Sequence, residues 1–136
     1  MPVSAFSHFS AVSELFVTAA VFYVLWRAWR HDDVRTALLA VVLAFEVLVN
    51  VAYMSWRLAV PTVHIQQLPS WLLAGHGVLS LLMLAGLLGF AAEAARMRRQ
   101  GRNLVREHPG QALAFTVFWA VSVASGEAIY LMQVRA

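Results

Sequence analysis

Four stretches of this chain, at 9–29, 34–56, 68–95 and 111–131, are predominantly apolar and rich in Leu, Val, Ala, Phe and Trp. Each is near or above the ~20 residues a helix needs to cross a ~30 Å hydrocarbon layer. Inside lipid every backbone N–H and C=O must be satisfied within its own segment, so each stretch is expected to be a helix despite its valines. Composition agrees: 61% of the 136 residues are hydrophobic and 12% charged, against about 45–50% and 25% in a soluble domain. A water-soluble fold of this length has too little interior to hide such an excess. The connectors are compact, so the predicted fold is all-α: one integral membrane domain over 1–136, an up-down-up-down four-helix bundle.

The charges give the orientation. There is no lysine, and eight of the ten arginines lie in or beside the first and third connectors: Arg27, Arg30, Arg35, Arg96, Arg98, Arg99, Arg102 and Arg106. Only Arg57 and Arg135 lie toward the other face. The excess of arginine in cytoplasmic loops places those two connectors inside and both termini on the periplasmic or extracellular side. Arginine placed this way marks topology and not a nucleic-acid partner. No basic n-region precedes the first span, so it is expected to be retained and not cleaved. Cysteine is absent, which excludes disulfides, thiolate metal sites and a Cys nucleophile.

Three spans hold one glutamate each well inside their ends, Glu14, Glu46 and Glu127, and the remaining span holds His76, its Glu93 lying at the cytoplasmic end beside the third connector. At ~1.5 Å per helical residue, these four and Asn50 lie roughly 6–15 Å below the outer boundary, in one layer above the midplane. Ionisable groups in a span are expensive and are expected to face the bundle interior. On the second span Glu46, Asn50, Tyr53 and Arg57 follow an i, i+4, i+7, i+11 spacing that makes a single polar stripe. Ser10, Glu14 and Thr18 make a second, His76 with Ser80 a third, and Glu127 with Tyr130 a fourth.

Three carboxylates cannot all carry charge there with only a neutral histidine for company. One remedy is a metal ion (iron, manganese, copper or zinc) held by Glu14, Glu46, His76 and Glu127, with Asn50, Tyr53, Tyr130 and Arg57 orienting them. Others are protonated glutamates sharing hydrogen bonds, or Arg57 folded inward as a counter-ion. The layer also suits a proton path or a pocket for a quinone or lipid headgroup. The Glu-x-x-His pair of soluble di-iron bundles is absent. His76 lies between Gly75 and Gly77, a setting that lets a flat cofactor such as haem approach the helix; the plainer expectation is a histidine bonded to one of the glutamates. Ala85 with Gly89, and Ala120, Ala124 and Ala128, recur at a spacing that permits close helix packing.

The stretch Glu107-His108-Pro109, the run from Phe118 to Gly126 and the segment Ile129-Tyr130-Leu131-Met132 resemble the closing part of the CtaM-like family of four-helix bacterial membrane proteins, which includes an assembly factor for a haem–copper terminal oxidase. His31, with the helix following it through Tyr53, and His76 fall at spacings similar to those of that family's histidines. Arg57 stands where the family has a histidine, and Glu46 and Glu127 are not part of its pattern. The resemblance implies an accessory or assembly protein of a respiratory complex in the bacterial inner membrane. Such a protein would be surrounded by lipid and work beside larger subunits or as a homo-oligomer. It also implies a metal or haem role at His76, with His31 and His108 as further candidates. Two other readings stand beside it: a purely structural small subunit, and an oxidoreductase with a di-metal or quinone site. No Ser-His-Asp order, phosphate loop or dinucleotide fingerprint marks an enzyme.

Overall fold

The computed structural model describes residues 5–59 and 68–135, without the side chains of Met54, Arg57 and Leu58. It contains four long helices, α1 (Ala5–His31), α2 (Thr36–Ala59), α3 (Ser70–Arg99) and α5 (Pro109–Arg135), with a single-turn helix α4 (Leu104–Glu107) before the last. All four expected spans are present as apolar helices long enough to cross a membrane. They form a closed ring in which α1 packs on α2, α2 on α3, α3 on α5 and α5 on α1. The chain is therefore a multi-pass membrane protein with an all-α four-helix bundle. Its outward surface is apolar on every helix: Phe16 is 74% exposed, Leu48 69%, Trp71 73% and Leu113 66%, as a lipid-facing surface requires.

Helix ends follow local chemistry. Pro69 precedes α3 and Pro109 opens α5, positions where a missing N–H costs nothing. Helix α3 stops at a Schellman turn: the Gly101 N–H bonds the Arg98 carbonyl and the Arg102 N–H bonds that of Met97, both at 2.9 Å. This turn needs the left-handed φ of +71° that Gly101 supplies. Asn103 begins α4, its Oδ1 accepting from the Val105 N–H at 3.0 Å and the Arg106 N–H at 3.4 Å. The same side chain donates through Nδ2 to the Ala28 carbonyl at 2.8 Å and to Asp32 at 2.6 Å, which clamps α4 onto the end of α1.

The arginines at this end also close the connectors. Arg106 donates to the last carbonyls of α1, those of Trp29 at 3.0 Å and Arg30 at 3.3 Å. Arg98 reaches across from α3 to the Val34 carbonyl at 2.6 Å. Arg27 and Arg35 share Asp33 at 2.7 and 2.6 Å. Their guanidiniums, Arg27 foremost, hold the Asp33 carboxyl below the usual carboxylate range, and Arg102 does the same for Glu107.

The buried apolar core fills this arginine side of the bundle, with Val21, Val24 and Ala28 of α1, Leu39 of α2, Leu87, Ala94 and Met97 of α3, and Ala112 of α5. The half nearer the chain ends is different in kind, because there the interior is polar. The small residues Ala85, Gly89, Ala120, Ala124 and Ala128 are all exposed; their spacing is helical, but they face away from the bundle axis.

Candidate functional site: a polar chamber on the bundle axis

Glu14 of α1, Glu46 and Asn50 of α2, Ser80, Met83 and Leu84 of α3, and Trp119, Ser122 and Val123 of α5 line a partly open cavity of about 40 Å³. That is room for roughly three water molecules at ~10–15 Å³ of such volume apiece. Every long helix contributes to its wall. Glu46 and Ser122 are each only 6% exposed. The floor is set by Trp119, whose Nε1 donates to Thr18 Oγ1 at 3.1 Å and ties α5 to α1. Below it Phe115 packs on Trp119 at 5.7 Å and stacks on Phe90 at 5.0 Å, beginning the apolar core. The chamber is thus closed toward the arginine side.

Within the chamber the i, i+4 pair on α2 is bonded as its spacing implies. Asn50 Nδ2 donates to the Glu46 carbonyl at 2.8 Å and to Glu46 Oε2 at 3.2 Å. No cationic side chain is among the lining residues.

His76 sits beside this chamber and not in its wall. Its Nδ1 lies 2.8 Å from Ser125 Oγ, and its Nε2 lies 3.3 Å from Ser80 Oγ. The Ser125 hydroxyl spends its hydrogen on the Ser122 carbonyl at 2.7 Å, so toward the histidine it can only accept. His76 therefore carries its hydrogen on Nδ1 and accepts from Ser80 at Nε2. Its partners are serines, where the plainer sequence expectation gave it a glutamate. The ring packs against α5: a Cβ on Gly126 would come within 2.9 Å of His76 Cε1. Gly75 and Gly77 have open space beside them, but the imidazole points the other way, into the seam between α3 and α5.

The remaining sequence candidates lie around the chamber. Glu127, next to Gly126, is half-buried and outside the wall. Tyr130 makes a short hydrogen bond to Nδ1 of His8, joining α5 to α1 near the chain ends. Sequence spacing grouped Tyr130 with Glu127 and left His8 outside the first span, yet α1 begins early enough to include His8. Tyr53 stacks on Phe6 at 5.7 Å, with Trp56 packed on both. The side chain of Arg57 lies outside the described residues. His31, packed edge-on against Trp26 at 5.1 Å, and His108, at the end of α4, are on the arginine side, far along the bundle from His76. Among the described residues, no three His, Asp or Glu side chains converge closely enough to hold a metal ion.

The chain matches no family model, no curated protein and no solved structure. The resemblance to CtaM-like proteins therefore rests on the sequence motifs alone, and the chamber must be read from its own chemistry.

That chemistry is compact. Two carboxyl groups, an amide and two hydroxyls face a space too small for a macrocycle or a quinone ring, so the guest it suits is water, protons or a single ion. The residues that sequence reasoning missed are Trp119, Ser122, Ser125 and Gly126, all on α5. Their helical spacing is visible, but the apolar residues between them hide which face of α5 turns inward.

Proposed function

We propose that this chain is an accessory or assembly protein of a larger membrane complex, respiratory in kind as the resemblance implies, and that the polar chamber is its working part. It holds a small guest for that complex and performs no bond-making chemistry of its own. The observation that carries this reading is the convergence of Glu14 and Glu46, from different helices, on one cavity at the bundle axis with no cation in its wall. A protein needing only a membrane anchor gains nothing from that layer, since each buried carboxyl group costs stability unless something compensates it. The guest is retained between the carboxyl groups, while His76, held by Ser125 and Ser80, lies beside the chamber and ties α3 to α5. In the bacterial inner membrane, with the arginine side in the cytoplasm, the chamber opens its polar half toward the periplasmic or extracellular face.

A second reading has its own support. The Ser125–His76–Ser80 bonds join α3 to α5 and the Trp119–Thr18 bond joins α5 to α1, which is what a structural subunit needs from its polar groups.

One comparison separates the two. Affinity-tagged wild type and a Glu14→Gln/Glu46→Gln variant are purified from native membranes, and co-purifying subunits and the activity of the complex are measured. The accessory reading expects both proteins to retain the larger subunits and only the wild type to support full activity. Full activity with the double variant leaves the structural reading, and absence of any larger partner with wild type removes both.

A further inference from the structure

We propose that the chamber is a binding site for one hard divalent cation of the calcium, magnesium or manganese kind, held by oxygen atoms from α1, α2 and α5. The inference deepens the reading of the chamber as the working part and rests on it for location, while standing on the chamber's own atoms for chemistry.

Every polar group free to face the cavity is an oxygen. Asn50 uses its Nδ2 on Glu46, which leaves Oδ1 for a guest. Glu46 uses Oε2 on Asn50, and among the described residues nothing bonds its Oε1. Nothing there bonds the Glu14 carboxyl either, although both line the cavity. Ser122 supplies the independent observation. It is 6% exposed and lines the chamber, yet among the described residues its hydroxyl has no hydrogen-bond partner. Its oxygen therefore keeps its lone pairs for a ligand in the cavity. Ser80 adds a second hydroxyl at the wall, turned toward His76 Nε2.

Charge and ligand type narrow the occupant. Two ionised carboxylates against Trp119, Met83, Leu84 and Val123 are balanced by one double positive charge, and a monovalent ion leaves one of them unmatched. Carboxylate, amide and hydroxyl oxygens select hard cations, whereas copper, zinc and iron favour imidazole or thiolate. The one histidine nearby is committed to serines. The cavity also has space for one or two waters to complete the six to eight oxygen ligands that calcium takes.

The test uses the full chain in detergent, stripped with chelator and dialysed against Ca²⁺, Mg²⁺, Mn²⁺ or Zn²⁺ at fixed ionic strength. Bound metal per chain is measured, together with the thermal midpoint. The expected result is close to one Ca²⁺ or Mn²⁺ per chain with a raised midpoint. Glu46→Gln should weaken binding at least tenfold, Ser122→Ala should weaken it several-fold, and His76→Ala should leave it nearly unchanged. If Glu46→Gln does not fold, the wild-type stoichiometry and the Ser122→Ala and His76→Ala affinities still decide. A folded wild type that takes up no divalent ion overturns the inference, as does Zn²⁺ binding that is preferred and lost in His76→Ala. Either result leaves the accessory role to the co-purification experiment, which does not depend on the identity of the guest.

Discussion

An alanine methyl at position 126 would sit 2.9 Å from Cε1 of His76, closer than two carbons tolerate. The side chain that must yield is the imidazole, and moving it gives up the bonds to Ser125 and Ser80. Overpacking of this kind costs about 1–3 kcal/mol, and interhelical hydrogen bonds in membranes add roughly 0.6 each. Gly126→Ala is therefore expected to lower stability in detergent by about 2 kcal/mol, and to cost far less when made on a His76→Ala background, where the obstacle is gone. Equal costs in the two backgrounds would show that the ring does not rest on Gly126. At this scale the sequence was legible wherever a residue's partner is on its own helix: the Glu46–Asn50 and His76–Ser80 pairs follow from i, i+4 spacing. Ser122, Ser125 and Gly126 were not, because small residues gain their roles from what a neighbouring helix sets against them. Helical register between spans is not written in hydropathy.

Helix ends carry the next level of information. Pro69 and Pro109 stand at the starts of α3 and α5, as proline's missing N–H favours, whereas α4 is a single turn clamped by Asn103 reaching Ala28 and Asp32, a long-range contact invisible to local pattern. Length was legible and exact ends were not: α1, α3 and α5 all extend beyond their apolar stretches into turns that carry Arg30, Arg96, Arg98, Arg99 and Arg135, since Arg suits a helix turn that has left the lipid. The connector between α1 and α2 depends on Asp33 standing between Arg27 and Arg35. Because the Asp33 carboxyl titrates below its unfolded value of about 3.9, its contribution is present above that value and is lost as pH falls through the depressed folded one. Asp33→Asn should thus lower the thermal midpoint at pH 7, and the gap from wild type should close on acidification below pH ~4. A gap that persists unchanged in acid would mean the pairs do not hold the connector.

Across the whole molecule the two halves of the bundle do different work. The arginine side is packed with Val21, Val24, Leu39, Leu87 and Met97 and sealed by connectors, while the chain-end side holds the chamber. A polar space that stops at Trp119 is reached from one face only, so on the proposed function the face that meets the chain ends decides where a guest comes from. The orientation proposed above, with that face outside the cytoplasm, rests on arginine bias: the arginine side carries eight guanidiniums against the four carboxylates of Asp32, Asp33, Glu93 and Glu107. The absence of native cysteine makes the orientation directly measurable. In intact bacterial cells a membrane-impermeant maleimide should label Ala5→Cys and spare Gln100→Cys, and lysis should make both reactive. The opposite pattern would turn the chamber toward the cytoplasm and make its guest an intracellular ion, while leaving the bundle and the convergence of Glu14 with Glu46 as they are.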